Sequence, residues 1–175
     1  GYDPWDQRAT YEEWGIERKL GSIRPGSEVR QFYFTKHPWE EFTEPSQIQE
    51  IELPDLDAPG RFAKARGLAG RFRDERLLVG DLGHCQWTIA WELRGMLTLM
   101  KDLHTRPKMV EAILDRLLGH YMEVTDRLLD LGAEAIRYSE DWANNKSMFI
   151  DPEMWRRVFK PRYKKLFQRA KRRGA

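Results

Sequence analysis

The spacing of hydrophobic positions divides the chain into an irregular first third and a periodic remainder. Residues 1–54 are rich in proline, glycine and aromatic side chains and show no sustained helical period. Within them, residues 28–35 alternate between apolar and polar positions as a half-buried strand does. We therefore predict an irregular N-terminal arm with a hairpin over residues 1–54, anchored on a larger body by Trp5, Trp14 and Trp39.

From residue 55 onward, helical stripes alternate with short apolar runs. The runs at 77–82 and 134–139 predict strands, and the first is apolar enough to be buried on both faces. Capping residues precede three of the helical stripes. These caps are Asp57, Thr88 and Asp151. The predicted helices cover residues 58–75, 88–103, 107–131 and a final stretch from 152 that Pro161 should kink.

This order of strand, helices, strand and helix is typical of α/β proteins with a parallel sheet. Two strands do not complete such a sheet, since a closed (β/α)₈ barrel takes ~250 residues. Gly174 follows the last helix as a stop signal. We therefore predict that residues 55–175 form a partial (β/α)₈ TIM barrel, truncated at its C-terminus.

Composition narrows the class of protein further. The 175 residues carry a formal net charge of +2, which gives no global reason to expect nucleic acid as a partner. The single cysteine, Cys85, excludes an internal disulfide and a cysteine-based zinc site within the chain. No secretory signal is visible, and no apolar run approaches the ~18 residues of a transmembrane helix. We expect a cytoplasmic protein that binds neither membranes nor nucleic acid.

Two adjacent carboxylates, Glu140 and Asp141, directly follow the second predicted strand. Ligands in parallel α/β proteins bind at the carboxyl ends of strands. If both are partly buried, mutual repulsion could raise one pKa and make that group a proton donor, or the pair could bind a cationic or hydroxylated substrate. The alternative is structural, with Asp141 capping a turn while Glu140 points to solvent.

His84 and Cys85 occupy the corresponding position after the first strand. Adjacent residues on a strand point apart, so a shared metal site is not expected, and His84 is the better candidate for the ligand pocket. The last helix carries many arginines and lysines beside an apolar stripe, which favours the solvated face of an outer helix over a nucleic-acid or membrane surface.

Several motifs, taken in order, are similar to those of one known family. They are LVGDLGHCQWTIAWELRG over residues 78–95, MKDL over 100–103, RP at 106–107, SEDW over 139–142, IDPEMW over 150–155 and FKPRYKKL over 159–166. Over residues 54–175 the chain resembles the uroporphyrinogen decarboxylase superfamily. That superfamily includes the tetrapyrrole decarboxylase and paralogues such as corrinoid-dependent methyltransferases and related O-demethylases.

The resemblance implies a (β/α)₈ barrel with its ligand cleft at the carboxyl ends of the strands. Asp141 and Glu140 are then the catalytic candidates. The substrate-binding candidates are His84, Trp87, Trp91, Glu92, Tyr138, Trp142 and Asn144. The turn at 140–142 is more similar to that of the methyltransferase-type paralogues. The decarboxylase's pocket tyrosine, its arginine-rich N-terminal loop and its essential aspartate have no counterpart here.

We therefore expect part of a methyltransferase-like enzyme that acts on a corrinoid or a methylated small molecule, with a corrinoid protein as a possible partner. The zinc-binding His-x-Cys and distant Cys of such enzymes would lie beyond Ala175. This chain alone is expected to bind no metal or cofactor, and zinc and corrinoid are left to the full-length protein. Two alternatives stay open: a tetrapyrrole-binding uroporphyrinogen decarboxylase, and a non-catalytic helical interaction module with a basic docking helix.

Overall fold

The computed structural model describes residues 10–11, 13–22, 24 and 28–175. Trp5, a predicted anchor of the arm, lies outside these residues. The described part is an α/β structure with two small sheets and seven helices. In chain order its elements are β1 (Thr10–Tyr11), β2 (Glu17–Ser22), β3 (Arg30–Lys36), α1 (Pro45–Gln49), α2 (Ala63–Phe72), β4 (Val79–His84), α3 (Trp87–Arg94), α4 (Met96–Thr105), α5 (Pro107–Asp130), β5 (Ala135–Ser139), α6 (Pro152–Val158) and α7 (Lys160–Arg172).

The N-terminal arm contains an antiparallel sheet in the order β1-β2-β3. The strand predicted over 28–35 is β3, so the hairpin prediction is confirmed. Trp39 is 3% exposed, and its backbone N–H donates to the Leu93 carbonyl at 2.8 Å. Trp14 stacks on Tyr121 of α5 with ring centroids 6.2 Å apart. Both tryptophans therefore tie the arm to the helical body, as the sequence predicted.

The second sheet consists of β4 and β5, which pair in parallel as predicted. Gly80 on β4 allows the strands and α5 to approach closely. A Cβ there would lie 2.9 Å from Cδ1 of Ile136 and 3.1 Å from Leu128. The close approach packs the start of β4 against β5 and α5.

The prediction that β4 is buried on both faces is wrong. Val79 is 50% exposed and the preceding Leu77 is 67% exposed. The physical reason is that β4 pairs only with β5 within the described residues, so its outer edge and the adjoining apolar side chains lack a covering element.

Two of the predicted helix starts are also wrong. Asp57 does not begin α2, because its N–H bonds to Asp55 Oδ1 at 2.8 Å in a turn, and Gly60 follows with φ +81°. The helix predicted over 88–103 is divided into α3 and α4 by Gly95, whose φ of +83° is outside the helical region. Thr88 is inside α3, so it is not the cap.

The later helical boundaries agree with the sequence. α5 ends where Gly132 takes φ +96°. Asp151 caps α6 by accepting from the N–H groups of Glu153 and Met154 at 2.9 and 3.0 Å. The last helix breaks at Phe159, two residues before Pro161, into α6 and α7. Even α5, the longest described helix, lacks the uninterrupted apolar length that membrane crossing requires.

Candidate functional site

The register of the parallel sheet brings the ends of β4 and β5 together. His84 is opposite Ser139, so the segments that follow the two strands run side by side. The indole N–H of Trp87 donates to the Asp141 carbonyl at 2.8 Å, and the Asp141 N–H donates to Thr88 Oγ1 at 3.2 Å. The residues predicted after each strand therefore meet at one edge of the sheet.

Glu140 caps α3 from across the sheet. Its Oε1 accepts from the backbone N–H groups of Cys85, Gln86 and Trp87 at 3.3, 2.6 and 3.2 Å. Its Oε2 accepts from the N–H of Thr88 at 2.8 Å. No side chain from α3 itself caps this end. A carboxylate suits the position because unpaired N–H groups and the helix dipole both favour negative charge there.

Glu140 also contacts α7, since Oε1 accepts the hydroxyl of Tyr163. The Cys85 thiol lies 3.4 Å from the same oxygen. Burial, reinforced by the Glu140 charge, raises the pKa of Tyr163 and the pKa of Cys85 far above their ordinary values. Both groups are therefore neutral at physiological pH. The alternative that Glu140 points to solvent is wrong, because its carboxylate accepts hydrogen bonds from residues 85–88 and from Tyr163.

Asp141 has the opposite environment. The residue is exposed, and no hydrogen bond among the described residues uses its carboxylate. The alternative that this side chain caps a turn is therefore wrong. Its backbone is fixed by Trp87 and Thr88, so the carboxylate starts from an ordered position at the strand ends. Such a group is available to a ligand.

His84 and Glu92 form a second charged pair at this edge. His84 Nδ1 is 3.5 Å from Glu92 Oε1, and Glu92 is buried while His84 is partly exposed. The contact with the Glu92 carboxylate raises the pKa of His84, and the charges of Glu140 and Asp141 act in the same direction. The imidazolium form is thus favoured at the carboxyl end of β4.

An aromatic wall continues the site toward α6 and α7. Trp142 stacks on Trp87 with centroids 5.6 Å apart, and the edge of Phe159 meets Trp142 at 5.0 Å. Trp87 is fully buried, so it supports Trp142 and does not itself face a ligand. A cavity of about 600 Å³ opens on the other side of this wall. It is lined by Tyr138, Glu140, Trp142, Trp155, Lys160, Tyr163, Lys164, Phe167, Gln168 and Lys171.

Three of the predicted site residues, Glu140, Tyr138 and Trp142, line this cavity. The other six are not part of its lining: Asp141, His84, Trp87, Trp91, Glu92 and Asn144. Trp91 is partly buried and packs edge-to-face against Phe34 of the arm, with centroids 5.1 Å apart. Asn144 is exposed, and its Oδ1 accepts from the N–H groups of Lys146 and Ser147 at 2.8 and 3.0 Å, which is an Asx turn. A ligand role for either residue stays a prediction.

Sequence reasoning missed the contribution of α6 and α7 to the cavity. Trp155 and Tyr163 were visible only as members of an apolar stripe. Lys160 and Lys164 were part of the basic run, and their spacing of four residues places them on one helical face. That spacing is the signal that could have separated them from the other basic residues.

The arginines and lysines of the last predicted helix, residues 156–173, lie on two different faces. Three of its arginines, Arg162, Arg169 and Arg173, are paired with acidic residues of α5. Arg162 Nη2 lies 2.8 Å from Asp115, and Arg169 Nη2 lies 2.5 Å from Asp126. None of the ion pairs within the described residues involves Lys160 or Lys164. Most of these basic residues are exposed, which agrees with the predicted solvated face. In addition, one side of α7 holds α5, and Lys160 and Lys164 line the cavity.

These features define an α/β protein whose candidate ligand site lies at the carboxyl ends of parallel strands. The family model described as uroporphyrinogen decarboxylase (URO-D) matches residues 33–175. The chain therefore belongs to the uroporphyrinogen decarboxylase family, and the resemblance inferred from the motifs is confirmed. The match begins at residue 33, which is on β3 of the arm and earlier than the motifs indicated.

A methyltransferase from Methanosarcina mazei has a similar structure, with a TM-score of 0.65 and 21% sequence identity. The alignment covers 90% of this chain and 44% of that protein, so the chain spans less than half the length of this structural relative. At this identity the likeness establishes the fold. No curated protein sequence matches the chain.

Proposed function

We propose that the chain supplies part of a (β/α)₈ barrel enzyme of the methyltransferase type, acting on a corrinoid or a methylated small molecule. The observation that carries the proposal is the paired arrangement at the strand ends: Glu140 orders the start of α3, and the neighbouring Asp141 is left free for a ligand. Family membership and the methyltransferase with a similar fold support it.

The open edges of the β4–β5 sheet support a barrel that other segments complete. Leu77 before β4 and Val79 at its start are exposed. Phe167, which is 48% exposed, lines the cavity and contacts Tyr138 of β5. Further parallel strands on both edges would cover these side chains. The same exposure argues against a self-contained helical interaction module.

The residues of the site have distinct roles in this proposal. Asp141 accepts a hydrogen bond from a hydroxyl or pairs with a cationic group of the ligand. Trp142 and Tyr138 present apolar surface to the body of the ligand, and Glu140 holds the two strand ends in register. No group of three or more His, Cys, Asp or Glu side chains in the described part of the chain is placed to hold a metal ion. Zinc and a corrinoid, where methyl transfer uses them, would supply the methyl-accepting centre from residues outside this set.

The test is a methyl-transfer assay with a protein that carries this chain within a complete barrel. Methyl transfer to a free corrinoid is measured with a panel of methylated amines, alcohols and aromatic ethers. Asp141→Asn should reduce kcat/KM by about 100-fold because the acceptor of the ligand contact loses its charge. The matched control, Glu153→Gln, neutralises an exposed carboxylate of α6 that is not part of the cavity lining, and it should retain activity. Equal activity of Asp141→Asn and the wild-type protein would refute the assignment.

Tetrapyrrole decarboxylation is the second candidate, and the cavity favours it. Its walls are aromatic, and Lys160, Lys164 and Lys171 line it without described carboxylate partners. A planar apolar ligand with several carboxylates matches that combination. Release of CO₂ from uroporphyrinogen by the same protein, reduced by Lys160→Gln together with Lys164→Gln, would favour this reaction over methyl transfer. A corrinoid protein partner and a cytoplasmic location stay predictions.

A further inference from the structure

The contact between His84 and Glu92 fixes both the charge and the orientation of the imidazole ring. His84 Nδ1 is 3.5 Å from Glu92 Oε1, with the histidine side chain 42% exposed and the glutamate side chain 10% exposed. A carboxylate with so little access to water requires a donating partner, because an unpaired buried charge is strongly unfavourable. Glu92 thus keeps a proton on Nδ1.

The second ring nitrogen, Nε2, is on the far side of the imidazole from Nδ1, so it is directed away from Glu92. No hydrogen bond within the described part of the chain uses it. The charged groups that act on the ring are Glu92 from α3 and Glu140 and Asp141 from the turn after β5. Of these, Asp141 is the exposed carboxylate without a partner. An N–H donor and a carboxylate acceptor therefore share one edge of the sheet.

The backbone around Glu92 is held in place by contacts on two sides. Glu92 is on α3, whose first turn is fixed by Glu140. The Glu92 carbonyl also receives a hydrogen bond from His37 Nδ1 at 2.7 Å. The glutamate is therefore held from the sheet side and from the arm. The His84 side chain is 42% exposed, so an incoming molecule can reach its Nε2 edge.

We propose that His84 donates a proton through Nε2–H to the ligand bound at the carboxyl ends of β4 and β5, with Glu92 as the positioning residue. The proposal rests on the proposed function, in either of its two reactions. Transfer of a methyl group from oxygen leaves the electron pair of the broken O–C bond on that oxygen, which must take up a proton. Loss of CO₂ leaves an electron pair on carbon with the same requirement.

The proton balance closes with water as the source of the proton that is consumed. The Nε2–H bond breaks as the new O–H or C–H bond forms, and the ring becomes neutral with its remaining proton on Nδ1. Glu92 keeps its charge throughout, so the ion pair becomes a hydrogen bond of a neutral imidazole. Water then protonates Nε2 through the exposed edge and restores the imidazolium.

The first test is an NMR titration of the histidine rings in the 175-residue chain. The pKa of His84 should lie above the ordinary value of about 6.5, and Glu92→Gln should lower it because the charged partner is removed. Glu153→Gln is the matched control, since it removes an exposed glutamate of α6 and should leave His84 unchanged. His104, which is exposed on α4, is an internal reference. An ordinary His84 pKa in the wild-type chain would overturn the proposal whether or not activity is found.

The second test uses the pH dependence of turnover in the barrel protein. His84→Gln should reduce kcat by about 100-fold with little change in KM, the range expected for loss of a general acid. Glu92→Gln should move the alkaline limb of the kcat profile to lower pH and retain activity below it. A loss that is equal at every pH would indicate a structural role and refute the proposal. The wild-type protein could turn over neither substrate class while the pKa of His84 is raised as expected. That result would refute the proposed function and the donor role, and it would support only the ion pair between His84 and Glu92.

Discussion

The carboxylate of Glu140 lies 2.6 Å from the backbone nitrogen of Gln86, so the residue after one strand caps the helix that follows the neighbouring strand. This contact connects the two chain segments that form the candidate site. It orders the start of α3, which carries Trp87 and Glu92, and it leaves the next carboxylate, Asp141, exposed.

Removal of this cap should destabilise the fold. Glu140→Ala leaves four backbone N–H groups and the Tyr163 hydroxyl without their acceptor. Lost hydrogen bonds to a charged group and unsatisfied donors predict a decrease of about 3 kcal/mol in the free energy of unfolding. Urea denaturation measures it, and Glu140→Gln should cost less because its amide oxygen can still accept.

Asp141→Ala is the matched control for this prediction. Its carboxylate has no described partner, so the free energy of unfolding should change by less than about 0.5 kcal/mol. Equal losses for the two alanine variants would show that Glu140 contributes no more than an exposed carboxylate.

Arg94 joins the arm to the helical body. Loss of its charged partner should destabilise the fold about as much as loss of the Glu140 cap. It is 1% exposed, pairs with Asp102 at 2.8 Å, and donates to the carbonyls of Glu40 and Phe42 at 3.0 and 2.9 Å. Asp102→Asn leaves this buried guanidinium without its counter-charge and should cost about 3–5 kcal/mol. Hydrogen exchange at residues 39–42 should rise as the arm loosens.

The exposed ion pair of Arg137 and Asp81 is the control for the buried pair of Arg94 and Asp102. Its side chains are 65% and 47% exposed at a similar distance of 2.8 Å. Asp81→Asn should change stability by less than about 1 kcal/mol, because solvent already screens this pair. A loss as large as that of Asp102→Asn would contradict the dependence on burial.

Gly80 and Gly119 should respond in opposite directions to substitution by alanine. A Cβ at position 80 would meet Ile136 at 2.9 Å and Leu128 at 3.1 Å, whereas nothing lies within 4 Å of a Cβ at position 119. Gly80→Ala should lower the free energy of unfolding by about 1–3 kcal/mol through overpacking. Gly119→Ala, inside α5, should raise it by about 0.5–1 kcal/mol. Thermal unfolding of both variants measures the difference, and stabilisation by Gly80→Ala would contradict the close approach of β4 to β5.

Features set by local chemistry could be predicted from the sequence, and features set by distant partners could not. The boundaries of α5, α6 and α7 could be predicted because they are set by residues within or next to each helix. These residues are Gly132, Asp151 and Pro161. Gly95 was missed because an apolar stripe runs through it, and only its φ of +83° separates α3 from α4.

The residues of the candidate site show the same difference between local and distant effects. The strand ends and the adjacent carboxylates were found, since strand order brings them to one edge. The different environments of Glu140 and Asp141 were not, because they depend on N–H groups 52 to 55 residues away in the chain. The ligand roles of His84, Glu92 and Trp142 stay predictions that the geometry supports and activity must test.

His120 should make the fold sensitive to acid. The ring packs between Trp14 and Tyr121, with centroid distances of 5.0 and 5.3 Å. Burial lowers the pKa of His120 in the folded chain, although Glu123 and Glu13 oppose the shift. The unfolded chain therefore binds the proton more readily, below about pH 6.5. The contribution of the neutral ring to stability is complete above that value and is lost as pH falls through the folded pKa. Urea unfolding between pH 5 and 8 should show this slope, His120→Gln should reduce it, and His104→Gln should leave it unchanged. A slope that persists in His120→Gln would assign the acid sensitivity to other groups.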